Sequence, residues 1–76
     1  MAHYYFNVRR DENVFVDQVG VALSSLEEAW MWALDDAAQL LREGEIDITR
    51  HRCWIEVCDE HRCVVISVPV DRTAVQ

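Results

Sequence analysis

Residues 24–44 read SSLEEAWMWALDDAAQLLREG, and the fold turns on how this stretch is read. Leu26, Ala29, Trp30, Ala33, Leu34, Ala37, Leu40 and Leu41 recur at spacings of three and four, the period of an amphipathic helix. Ser25 stands three residues before Glu28, the spacing of a capping box in which the hydroxyl accepts one orphan N–H and the carboxylate reaches back for another. Gly44 sits where a left-handed C-terminal cap belongs. The stretch therefore predicts one helix starting at Ser25 and ending at Gly44, with Trp30 on its buried stripe. Trp32 falls about 200° from Trp30 at ~100° per residue, beside Glu28, Asp35 and Gln39, and is expected to find no partner within the chain.

On the N-terminal side of the helix, Tyr4 to Val8 is aromatic and β-branched, and Val14-Phe15-Val16 follows after the polar Arg10 to Asn13. This is a hairpin pattern, with Asn13 able to take the left-handed conformation that closes a three-residue turn. That turn sets Arg10 opposite Val14 and Val8 opposite Val16. Tyr4, Phe6, Val8, Val14 and Val16 then share one face, with Tyr5, Arg9 and Phe15 on the other. Gly20 marks a bend, after which Val21 to Leu23 lead into the helix.

On the C-terminal side, a linker from Glu45 to Arg50 precedes Cys53 to Cys58, then Asp59-Glu60-His61-Arg62, then Cys63 to Val70. Asp59 suits the first position of a type I turn, and Pro69, which has no N–H to donate, suits a strand end or an edge. Strand, strand, helix, strand, strand is the resulting order. The expected architecture is α+β: a ββαββ chain forming a four-stranded antiparallel sheet with one helix packed on one face, as a single domain over residues 1–76.

Several of these segments carry a resemblance. The opening Tyr4-Tyr5-Phe6-Asn7-Val8-Arg9, the Asp17 to Leu23 stretch with Gly20, the Leu26-Glu27-Glu28-Ala29 helix start, Ile55-Glu56-Val57 with Asp59-Glu60, and Val64 to Pro69 together resemble a family of short, uncharacterised bacterial proteins, a domain of unknown function. The resemblance spans nearly the whole chain and implies a fold without an activity. It also implies a glycine where this chain has Arg62, a residue that costs free energy in the left-handed region. In its first half the chain is similar in outline to small antitoxin domains of the HicB type. The Pro-Gly-Cys segment that precedes the helix there is replaced by Val21-Ala22-Leu23-Ser24.

Composition narrows the function classes. The 76 residues hold seven arginines, no lysine and 14 carboxylates, a net charge of -7. That balance argues against general nucleic-acid binding, whose affinity rests on phosphates neutralised by basic groups, and against peripheral attachment to anionic lipid. No run approaches the ~18 apolar residues of a spanning helix, and the start has neither signal-peptide nor transit-peptide character. A cytoplasmic protein with its three cysteines reduced is expected. A chain of this size buries roughly 60% of its unfolded surface, so a two-walled catalytic cleft would need a second copy.

The reactive side chains offer little chemistry. His51, Cys53, Cys58, His61 and Cys63 lie within thirteen residues, but Cys53 and Cys58 on one strand are roughly 16 Å apart and point to opposite faces. No metal site is expected. If Asp59 opposes Cys63, then Cys58 opposes Val64; a four-residue loop would instead set Cys58 beside Cys63. Ser24, Ser25 and Ser67 lack any positioning motif for a nucleophile, and two glycines cannot make a phosphate-cradling loop. No catalytic residue and no cofactor are expected.

Large apolar side chains without cover are the informative feature. Tyr5, Phe15, Trp32 and Trp54 are the candidate interface residues, on the bare sheet face or the back of the helix. The expected function is that of a non-enzymatic interaction or regulatory module that forms a homodimer. The alternative is an antitoxin-like, nucleic-acid-associated regulator whose dimer presents Arg50, His51 and Arg52.

Overall fold

The computed structural model describes residues 1–44 and 46–71; Glu45, at the head of the expected linker, and residues 72–76 of the expected domain lie outside them. In chain order the elements are β1 (Ala2–Arg10), β2 (Asn13–Phe15), β3 (Val21–Leu23), α1 (Leu26–Arg42), β4 (Cys53–Cys58) and β5 (Val64–Pro69). The protein is α+β, with one helix and a five-stranded antiparallel sheet rather than four strands. The additional strand is Val21–Leu23, which the sequence suggested only as a lead into the helix. It pairs with Ala2–Tyr4, while β2 pairs with Val8–Arg10, so two short strands share the outer edge of β1. The other edge of β1 pairs with β4, and β4 with β5.

The first hairpin differs from the expected one by a single residue. Its loop is Asp11-Glu12, with Arg10 opposite Asn13, Arg9 opposite Val14 and Val8 opposite Phe15. A one-residue slip moves every side chain of a strand to the other face. Val14 therefore joins Arg9 on the bare face, and Phe15 joins Val8 on the helix side. The cause lies far away in sequence. Asp11, not Asn13, takes the left-handed conformation (φ 55°). It is held there by its N–H donating to the Arg52 carbonyl at 2.7 Å and by its carboxylate accepting from the Arg52 N–H at 3.0 Å.

The helix begins as its caps predict. Ser25 Oγ accepts the Glu28 N–H at 3.1 Å, and the Glu28 carboxylate accepts the N–H of Ser24, one residue before the cap, at 3.0 Å. Ala29, Ala33 and Ala37 are wholly buried and face the sheet, where Tyr4, Leu23, Ile55, Val57 and Val68 complete the core. Three methyl groups along the line of contact let the helix lie close over β3, β4 and β5. Bulkier neighbours are pushed to the flanks: Trp30 is 46% exposed and is not a core residue, and Trp32 is 48% exposed. Trp32 nonetheless has a partner within the chain, since its ring lies 6.4 Å from that of Phe6.

In the second hairpin Asp59 N–H donates to the Cys63 carbonyl and Arg62 N–H to the Asp59 carbonyl, which makes a turn followed by a left-handed residue, Arg62 (φ 65°). Cys58 consequently opposes Val64, not Cys63, and a bulge follows in β5.

Gly20 is the tightest point of the chain. Its φ is +69°, and a Cβ placed there would sit 2.5 Å from His3 Nε2 and 2.7 Å from the Tyr4 carbonyl oxygen. Backbone cannot yield as a flexible side chain can. Gly20→Ala is expected to destabilise by about 2 kcal/mol or more, the sum of left-handed strain and displacement of β3 from β1, read as a lowered denaturation midpoint.

Candidate functional site

Because β2 and β3 meet opposite ends of β1, the outward N–H of Phe6 between them has no strand to pair with. Asp17 fills the gap. Its Oδ2 accepts the Phe6 N–H at 3.1 Å, and its Oδ1 accepts those of Val19 and Gly20 at 3.0 Å each. Its own N–H donates to Asn7 Oδ1 at 2.9 Å. Burial by itself pushes the Asp17 carboxyl up, but the N–H donors of Gly20, Phe6 and Val19, with the Arg62 guanidinium, hold it below the usual carboxylate range. No local motif announces this role; only the count of unpaired N–H groups on a divided strand edge could have found it.

The face of the sheet away from the helix carries Tyr5, Asn7 and Arg9 from β1, Val14 from β2, and Trp54, Glu56 and Cys58 from β4, as the pairing register dictates. No second layer covers this face among the described residues. Tyr5 and Trp54 are half-buried. The Arg62 guanidinium lies 3.5 Å from the Tyr5 ring centroid, a cation–π contact, and its Nη1 donates to the Asp17 carbonyl at 2.8 Å. His3 meets the same ring edge-on at 5.0 Å. Arg9 Nε pairs with Glu56 Oε2 at 3.2 Å.

The other two candidate interface residues lie elsewhere. Phe15, 56% exposed, and Trp32 flank Val8 and Phe6 on the helix side, where α1 leaves the first hairpin bare. A groove of ≈ 290 Å³ opens there, walled by Asp36, Gln39, Leu40 and Glu43 of the helix against Val8 and Ile55. An adjoining hollow is lined by Met31, Trp32, Asp35 and Asp36. The four residues thus form two pairs on opposite sides of the sheet.

Residues 3–71 match the family described as Domain of unknown function (DUF6894). The chain belongs to that family. No curated protein and no solved structure matches it. Membership of DUF6894 brings no assigned activity, so the chemistry of this DUF6894 chain has to be read from its own side chains.

That chemistry is subdued. Burial pushes the Cys53 and Cys58 thiols up, and for Cys58 the Glu56 carboxylate adds to the effect, whereas an activated cysteine is pushed down. His51 Nδ1 lies 2.7 Å from Asp11 Oδ2, but no hydrogen bond joins the Cys53 thiol to His51 among the described residues. The sequence-adjacent His51 and Cys53 therefore make no nucleophile–base pair with Asp11. Nor do three metal-ligating groups converge among the described residues. Asp11 also sits within the basic spot Arg50-His51-Arg52 and so offsets its charge. No helix among the described residues is long and apolar enough to cross a membrane.

Two measurements test this arrangement. Arg62→Ala keeps the left-handed strain and loses the Tyr5 and Asp17 contacts, so it should cost about 1–2 kcal/mol. Arg62→Gly loses the same contacts but relieves strain of about 1–2 kcal/mol, so its denaturation midpoint should lie above that of Arg62→Ala. For Asp17, a carboxyl held below its unfolded value stabilises the fold above that unfolded value, near pH 4, and stops doing so as pH falls through the folded one. The stability gap between the wild type and Asp17→Asn should therefore be full at neutral pH and close as the solution is acidified below about pH 4.

Proposed function

We propose that the DUF6894 chain is a non-enzymatic interaction module that works as a homodimer through the bare face of its sheet. The observation that carries this reading is the half-buried pair Tyr5 and Trp54 on a sheet face that no second layer covers among the described residues. Closing such a face against another sheet removes apolar area from water, at roughly 25 cal/mol per Å², and sheets stack face to face about 10 Å apart.

Charge favours the same choice of face. Helix residues 26–43 carry Glu27, Glu28, Asp35, Asp36 and Glu43 against Arg42 alone, whereas the bare face sets Arg9 and Arg62 against Glu56. Two chains of net charge -7 repel least where the carboxylates are fewest. The raised thiols of Cys53 and Cys58, with no cysteine thiol hydrogen-bonded to a histidine ring among the described residues, support a role without catalysis.

Sedimentation equilibrium in reducing buffer, needed because Cys63 is exposed, tests the reading. At about 100 µM chain, above a micromolar Kd, the mass should be twice 8.9 kDa. Trp54→Glu should return a folded monomer and Phe15→Glu should remain dimeric. A monomeric wild type, or a dimer that survives Trp54→Glu and dissociates with Phe15→Glu, overturns it.

A further inference from the structure

We infer that the groove between α1 and the first hairpin is a docking site for a cationic amphipathic segment of another protein. Its floor is apolar: Val8 and Ile55 with Leu40 above them, continued by Phe6 against Trp32 and, across from Val8, by Phe15. The charged groups of its rim on the helix side, Asp35, Asp36 and Glu43, are all acidic, with the neutral Gln39 between Asp36 and Glu43.

Asp36 belongs to both hollows and lies at the middle of the rim. Burial first, and then the nearby charges of Asp35 and Asp17, push its carboxyl up, and those two neighbouring negative charges also attract an incoming cation. No basic side chain among the described residues is within ion-pairing distance of it. From the hairpin side the charged group at the groove is Arg10, whose guanidinium lies over Phe15, 5.7 Å from the ring centroid. Glu43 accepts a hydrogen bond from Gln39 Nε2, which leaves its negative charge uncompensated.

The occupant is another protein rather than a second copy. This chain has no lysine, and both of its basic runs are engaged within the chain: Arg9 pairs with Glu56 and Arg10 lies over Phe15, while in Arg50-His51-Arg52 the His51 ring and the Arg52 N–H are bound to Asp11. A helix with leucines on one side and lysines at its margin fits both the floor and the rim, in the manner of an amphipathic helix laid in a groove. The site is independent of self-association, since the groove and the bare sheet face lie on opposite sides of the sheet.

The test is titration of the full chain with a 15-residue Leu/Lys amphipathic peptide, followed by tryptophan fluorescence and by amide chemical-shift mapping. Binding should shift residues 6–15 and 31–43 and weaken at least tenfold in the Asp36→Asn, Glu43→Gln double variant. A Glu12→Gln, Glu27→Gln double variant, which removes the same charge elsewhere, should bind as the wild type does. Equal weakening in both double variants, shifts centred on Tyr5 and Trp54, or no binding at all overturns the inference. A monomeric chain that still binds the peptide in the groove would refute the dimer and leave this site standing.

Discussion

One carboxylate holds the outer edge of the sheet together. β1 is too long for either of its outer neighbours, so β2 and β3 each take one end and leave a backbone N–H stranded between them. Asp17 supplies the missing acceptor, and with the same side chain it folds the loop that carries the chain from one partner strand to the other. A buried or half-buried N–H without an acceptor costs about 1–3 kcal/mol. The loop, the third strand and the approach to the helix all depend on this satisfaction. Arg62 reaches across from the second hairpin to the Asp17 carbonyl and ties the two ends of the sheet to the same point.

Arg62 shows how a locally unfavourable residue is retained. Its backbone occupies a region in which a side chain is strained. The guanidinium offsets that strain by stacking on Tyr5 and bonding Asp17, contacts that glycine could not make. The turn therefore does two things, reversing the chain and covering part of the bare face. That cover is partial, and Trp54 lies beyond it.

What was legible in the sequence was local. The helix start and its cap rest on Ser25 with Glu28, and the presence of the second hairpin on its polar turn residues, although which of its two open registers holds is decided only by Asp59 pairing with Cys63. The first hairpin was not legible, because its register is set by Asp11 meeting Arg52, 41 residues away. β3 was missed for the same reason: three residues have no periodicity, and their strand character exists only because β1 has a vacant edge. The choice between Trp30 and Trp32 failed because an apolar stripe does not say which of its members lies on the axis of contact. Ala29, Ala33 and Ala37 do, and both tryptophans ride at the margins. Of the candidate surface, Tyr5, Phe15, Trp32 and Trp54 were identifiable as apolar side chains in need of cover, but their division between two sides followed from the register.

The divided edge has one further consequence. The outward Phe6 N–H of β1 is taken by Asp17, and among the described residues the outer margins of the sheet are β2 and β3 on one side and β5 on the other. β2 and β3 offer three residues each, too short a template for a stable added strand. β5 is interrupted by a bulge near Val64 and closes on Pro69, which removes a donor. Both margins are thereby poor templates for an added strand, so the sheet resists growing sideways even though no second layer covers one of its faces among the described residues.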